Sequence, residues 1–220
     1  MSATLELAKS LISRASVTPD DNGCQDLMID RLEKIGFTIH PLKFGNVDNF
    51  WAVHGNNGPI FAFAGHTDVV PVSKDWNTDP FVATIKDEKV FGRGTCDMKG
   101  FIACTLAYAP IVSKTNLDRD IHFSFTFDEE TACQGAPLLI NELKKKSIDS
   151  GICIVGEPTS MKIIDAHKGC CEYTTYFKGL AGHGSAPDKG INAVEYAVKY
   201  ISKLIELREI LKTKVPKKSI

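Results

Sequence analysis

Residues 61–71 read FAFAGHTDVVP. An apolar run, Phe61 to Ala64, stops at Gly65, and His66 and Asp68 follow two positions apart. A short apolar stretch bounded by Pro59 and Gly65 is a candidate buried strand, 60–64. Its chemically active residues fall where the strand gives way to a loop. In open α/β sheets, ligands gather outside the carboxyl ends of the strands. The stretch therefore bears on fold and site together. Period-two geometry at a strand end places His66 and Asp68 on one side.

The rest of the chain alternates in the same manner. Leu5, Ala8, Leu11 and Ile12 recur at helical spacing in a first helix that ends near Ser16. The run TPDDNG (18–23) is turn chemistry. Leu27, Met28, Leu32 and Ile35 share a helical face over 24–35, closed by Gly36. Strands are expected at 37–43 and 49–54, and a hairpin over 82–92 with Asp87-Glu88 at its tip. A helix over 98–113 should kink or end early at Pro110. Residues 121–127 alternate as a strand, 135–146 read as a helix, and 151–156 as another apolar strand. A hairpin is expected over 162–178, then a long amphipathic helix over 190–212 in which Arg208 interrupts the apolar stripe. Strands alternating with helices give an α/β fold, with helices on both faces of a mixed, mostly parallel sheet.

Composition excludes several classes. Hydrophobic residues make up 43% and charged residues 24% of the 220, the ordinary globular mixture. A net charge of −1 leaves no electrostatic footprint for nucleic acid or an anionic membrane. No apolar run approaches the roughly 20 residues that span a bilayer. The N-terminus has no signal-peptide pattern. Seven cysteines, an odd number without a C-x-x-C pair, read as reduced thiols of a cytoplasmic protein.

The strand-then-acid design occurs four times: GHTD (65–68), GTCDMKG (94–100), FDEET (127–131) and VGEPT (155–159). If these strands share a sheet, His66, Asp68, Asp97, Glu129, Glu130 and Glu157 converge. Carboxylates within a few ångströms oppose each other's ionisation. Two divalent cations would remove that penalty, and a mixed imidazole and carboxylate set suits zinc, cobalt or manganese. His66 can ligate metal while Asp68 fixes it, through the ring's other N–H or through the local backbone. Adjacent Glu129 and Glu130 suggest divided labour: one binds metal, the other takes a proton from water. Each motif alone has a plainer reading: a hydrogen-bonded loop pair, a solvated Glu pair, or Asp97 capping the next helix. Repetition of one context in order favours the site.

Taken together, GHTDVVP, GRGTCDMKG, DEET and GEPT resemble the M20 family of metallohydrolases, along essentially the whole chain. The resemblance implies a dimetal aminopeptidase-like catalytic domain over 1–178 and the beginning of a smaller α+β lid, or dimerisation, domain over 179–220. It implies two zinc ions, with cobalt possible. His66 and Glu157 would bind one, Glu130 the other, and Asp97 both. Asp68 would orient His66, and Glu129 would be general base and then general acid. In LAGHGSAP (180–187), His183 is similar to the family's oxyanion-stabilising histidine, and the full-length enzyme is expected to be a homodimer. A last histidine ligand is expected beyond residue 220, so the chain is expected to be a portion of a longer enzyme; its tail, KTKVPKKSI, reads as a connecting segment.

Within the family, DEETACQGA (128–136), VGEPTSMKIIDAHKG (155–169) and GHGSAPDKGINAVEYA (182–197) lean toward acetylornithine deacetylases. The expected reaction is hydrolysis of N2-acetyl-L-ornithine to ornithine and acetate, in arginine biosynthesis. The nearest alternative is the same chemistry on succinyl-diaminopimelate, another N-acylamino acid or a dipeptide. A further alternative is a homologue that binds metal or a partner without hydrolysis.

Overall fold

A computed structural model describes residues 2–56, 58–149, 151–167, 169 and 171–214. Two helices come first, α1 (Ala3–Ile12) and α2 (Cys24–Glu33). Ser2 caps α1, its Oγ accepting the Leu5 N–H at 3.2 Å. Then follow β1 (Thr38–Phe44), β2 (Val47–His54), β3 (Ile60–His66), β4 (Thr84–Lys86), β5 (Lys89–Phe91), α3 (Gly100–Val112), β6 (Asp120–Thr126), α4 (Gly135–Lys145), β7 (Ile152–Val155) and α5 (Ala193–Lys214).

Five strands form one sheet in the order β1-β2-β6-β3-β7. β2 is antiparallel to both neighbours, whereas β6, β3 and β7 run parallel. Four strands thus point one way and β2 alone runs against them. The sheet is mixed and mostly parallel, as the alternation predicts. The parallel strands bring Glu157, His66 and the segment after Thr126 to the same edge. β4 and β5 form a separate hairpin, with Asp87 and Glu88 at φ of 49° and 59° in its tip.

One face of the sheet holds the main core. Leu7, Leu11, Met28, Leu32, Ile102 and Leu106 of α1 to α3 pack with Phe50, Phe123 and Phe125 of β2 and β6. The Phe123 ring stacks 5.4 Å from Phe63 and 5.9 Å from Phe125. On the other face, α4 begins beside Asn49, and Lys146 just past its end lies 5.9 Å over the Trp51 ring.

Two helix ends depart from expectation for visible reasons. α1 stops at Ile12, because Ser16 leaves the helical path to accept the Val69 N–H at 3.0 Å and donate Oγ to Thr67 O at 2.6 Å. α3 continues two residues past Pro110. The proline leaves the Leu106 carbonyl without its helical N–H, and Arg31 Nε donates to it at 3.3 Å instead.

By internal packing the chain divides into two units, Met1–Met161 and Lys162–Ile220. The second contains a 3-10 turn, Pro187–Lys189, and α5. The hairpin expected over 162–178 is not formed among its described residues; Leu180 makes only a single bridge, to Ile191. Tyr173 and Tyr176 are exposed, so that stretch lacks the buried face that alternation requires. The long helix expected at 190–212 is α5, whose Val194, Val198, Ile201 and Ile205 are exposed. Residues 215–220 of the tail lie outside the described residues. No helix among the described residues is long and apolar enough to cross a membrane.

Candidate metal centre

His66 ends β3 and is buried. Its main-chain N–H donates to the Met98 sulfur at 3.2 Å, and Gly65 leaves room for that thioether: a Cβ there would lie 2.9 Å from Met98 Cε. The ring nitrogen Nδ1 lies 3.0 Å from the Asp68 main-chain carbonyl and 3.5 Å from Asp68 Oδ1. A carbonyl only accepts, so Nδ1 carries the proton and the shorter contact is the hydrogen bond. Nε2 is thereby left facing the carboxylates. Asp68 also fixes its surroundings: Oδ2 accepts from Thr18 Oγ1 at 3.0 Å and from the Glu130 N–H at 3.1 Å. Thr67 Oγ1 donates to Asp21 Oδ1 at 2.9 Å.

Asp97 lies in a π-type turn, Thr95–Lys99, that leads into α3. The turn starts from Gly94 at φ +79°, where a side chain would be strained and a Cβ would meet Val69 Cγ1 at 2.7 Å. Asp97 does not cap α3; the cap position is Lys99, whose side chain makes no capping bond to the helix. Lys99 is buried instead, its Nζ donating to the carbonyls of Leu11 at 2.9 Å and Arg14 at 2.7 Å. That pins the turn to the end of α1 and leaves the Asp97 carboxylate free to point at His66, with Oδ1 3.1 Å from Nε2.

The segment after β6 carries Glu129 and Glu130, and the loop after β7 carries Glu157. Glu129 Oε2 lies 3.6 Å and Glu157 Oε1 3.8 Å from His66 Nε2. Ligand atoms of His66, Asp97 and Glu130 all lie within 4.8 Å of one another. A cleft of about 560 Å³ opens beside Asp97 and Glu130, walled in part by Val70, Trp76 and Arg93. The Arg93 guanidinium lies 5.2 Å from the Trp76 ring centre.

The electrostatics are those of a site short of positive charge. Burial opposes a charged His66, but the carboxylates of Asp68, Glu129 and Glu157 together outweigh it and push its pKa up to about 9. Burial, and then the charge of Asp97, raise Glu130 above the usual carboxylate range. Glu157 is raised by burial, and further by Asp97 and Glu129. Asp68 is the exception: burial would raise it, but His66 and the Glu130 N–H hold it low. Three groups therefore bind protons more tightly than free side chains do. One imidazole nitrogen with several carboxylate oxygens is also a donor set for zinc, cobalt or manganese, which would replace those protons. The residues present fit a divalent cation.

Of the seven residues expected to form the site, six gather here: His66, Asp68, Asp97, Glu129, Glu130 and Glu157. His183 belongs to the second unit. Its Nδ1 accepts the Ser185 N–H at 3.2 Å and lies 2.7 Å from Ser185 Oγ. Thr18, Lys99 and Asn49 escaped the sequence reading. Asn49 carried no signal, since it opens the strand expected at 49–54 and follows another polar residue, Asp48.

Comparison with known proteins accords with this geometry. Residues 62–213 match the family described as peptidase family M20/M25/M40. A succinyl-diaminopimelate desuccinylase from Methylobacillus flagellatus is 44% identical over 216 residues, covering 94% of this chain and 58% of that protein. One from Acinetobacter baumannii is 38% identical over 215 residues, covering 93% and 57%. The chain thus spans somewhat more than half the length of these curated relatives. Among solved structures, an M20 family metallo-carboxypeptidase from Sulfolobus solfataricus aligns with a TM-score of 0.64 at 20% identity, over 71% of this chain and 37% of that one. A Staphylococcus aureus tripeptidase aligns at 0.63 and 16% identity, over 91% and 55%. These two show the shared fold. On its motifs, its sheet and its relatives, the chain belongs to peptidase family M20/M25/M40.

Proposed function

We propose that this chain is the metal-binding part of an amide hydrolase that removes the succinyl group from succinyl-diaminopimelate. One observation carries the hydrolase reading: the ligand atoms of His66, Asp97 and Glu130 lie within 4.8 Å of one another, with Glu129 and Glu157 beside them. The acyl group rests on the relatives. Identity of 44% to a desuccinylase along nearly the whole chain supports this substrate over acetylornithine. The acetylornithine reading rests on short stretches around the motifs, none of which offers a named side chain for the ornithine end of the substrate.

In this reading His66 and Glu157 would hold one ion and Glu130 the other, with Asp97 serving both, zinc favoured and cobalt able to substitute. When bound, such ions polarise the amide carbonyl and make water acidic enough to ionise near pH 7. Asp68 keeps the His66 ring turned so that Nε2 faces the site. Glu129 takes the proton of the attacking water and returns it to the leaving amine. Ser185 N–H bonds to Nδ1 of His183, so the neutral ring carries its proton on Nε2; by the family resemblance this histidine would help stabilise the oxyanion in the neighbouring subunit's site. Such a donor is typically worth about 3–4 kcal/mol in the transition state. We assign residues 1–178 to the catalytic domain and 179–220 to the start of a lid, in a cytoplasmic homodimeric enzyme of amino-acid biosynthesis.

The test is cobalt or zinc content per chain, alongside turnover of succinyl-diaminopimelate, acetylornithine and a dipeptide. Glu129→Gln should retain metal and lose about 10²–10⁴-fold in turnover. A chain that takes up no ion refutes the metal centre. Preferential turnover of acetylornithine refutes the acyl assignment. Metal uptake without hydrolysis of any of the three would identify a homologue that binds without turnover.

A further inference from the structure

We propose that Asn49 is a positioning residue for the candidate centre: its side-chain amide clamps both ends of the loop that carries Glu129 and Glu130. This inference rests on the metal-centre reading above. Asn49 sits in β2, a strand that contributes nothing else to the site, and it is 2% exposed. Its Oδ1 accepts the Phe127 N–H at 3.0 Å, and its Nδ2 donates to the Gly135 carbonyl at 2.9 Å. Phe127 follows the end of β6, and Gly135 opens α4. One side chain thus joins the point where the loop leaves the sheet to the point where it enters the helix.

The loop has few other constraints. Asp128 and Cys133 have φ of 69° and 50°, outside the regular regions. The Cys133 N–H donates to Asp128 O at 2.6 Å, and the Glu130 N–H reaches Asp68 Oδ2 at 3.1 Å. The Gln134 N–H reaches Asp128 Oδ2 at 3.4 Å, and the Asn49 clamp ties these contacts to the sheet and to α4. Gly135 shows how closely the parts fit, since a Cβ there would lie 2.8 Å from Asn49 Oδ1. The geometry demands a donor and an acceptor on one short side chain. Aspartate supplies only the acceptor, leucine neither, and glutamine is a methylene too long.

A residue that merely stabilises the fold would give some of the same effects, so the experiment separates the two roles. Amide hydrogen exchange is followed in the metal-free 220-residue chain for wild type, Asn49→Asp and Asn49→Leu. Phe37→Leu, a core change on the opposite face of the sheet, reports general destabilisation. The Asn49 variants should exchange the amides of residues 128–134 about tenfold faster, with the rest of the sheet following Phe37→Leu. Cobalt titration of the same proteins should show affinity about tenfold weaker for the Asn49 variants, with Phe37→Leu unchanged. Uniformly faster exchange across the sheet, or loop exchange equal to wild type, overturns the proposal. So does wild-type cobalt affinity in the Asn49 variants. If the wild-type chain binds no cobalt, the metal-centre reading fails, and the exchange data alone still decide the clamp. If Asn49→Leu does not fold, Asn49→Asp carries the comparison, because it keeps the bond to Phe127.

Discussion

His66 and Glu130 share one cluster, yet the backbone beneath each is secured differently. The His66–Asp68 corner is sealed. The side chains of His66 and Asp68 are 2% and 0% exposed, and residues 16–21 bind the corner through Ser16, Thr18 and Asp21. The acidic side stays open: Asp97, Glu129 and Glu157 keep 46%, 40% and 40% of their side-chain surface. A buried imidazole held by Asp68 faces half-exposed carboxylates, so the site has one sealed post and several open arms.

The largest effect should follow from breaking the post. Asp68→Ala strands the Thr18 hydroxyl and the Glu130 N–H, each at a cost of about 1–3 kcal/mol, and removes the hold on His66. Thermal unfolding should register the loss, and cobalt affinity should fall about 10–100-fold. Next in size is a pH effect on the metal-free chain. His66 is raised to about 9, so its contribution to stability is full below the unfolded value of 6.5 and is lost as pH rises through about 9. Glu130 and Glu157, also raised, act in the same direction just above 4.5. Asp68, held low, acts oppositely: its contribution is present above 3.8 and is lost as pH falls through its lower folded value. Unfolding midpoints across pH should therefore decline toward alkaline pH without metal, and the decline should flatten when zinc is added. A midpoint that climbs from pH 7 to 9 in the metal-free chain would contradict this charge distribution.

Smaller changes sharpen the contrast. Thr18→Val deletes one bond to Asp68 and should cost about 1 kcal/mol, while Thr18→Ser restores it; denaturant midpoints distinguish the pair. Glu130→Gln, on the open side, should leave stability of the metal-free chain within about 0.5 kcal/mol, while still weakening cobalt binding. If Glu130→Gln destabilises the chain as much as Asp68→Ala, the two sides are equally rigid and the contrast fails.

Much of the scaffold was legible in the sequence because its signals are local. The apolar run 60–64 is the heart of β3, the turn at Asp87-Glu88 falls at the hairpin tip, and helical spacing finds α2 and α4. The site acids were legible because each follows a strand, and parallel strands place those ends together. The supports were hidden. Thr18 reaches Asp68, Lys99 reaches α1, and Asn49 reaches Gly135 across distances in sequence that leave no periodic trace. The turn residues TPDDNG looked like a connection, whereas Thr18 and Asp21 hold the corner. The hairpin expected over 162–178 failed for the opposite reason: local alternation was present without a surface to bury it. The choice between acetylornithine and succinyl-diaminopimelate was not legible either, because the motifs name metal and proton-transfer groups and none that distinguishes the two substrates.

β7 has one further consequence. Among the described residues it pairs with β3 alone, at the margin of the five-stranded sheet. Glu157 therefore hangs from a strand that these residues brace on one side. An ion gripped by that glutamate and by His66 would splice the margin to the strand next to it, so cation uptake should be felt as a stiffening that spreads along residues 152–155.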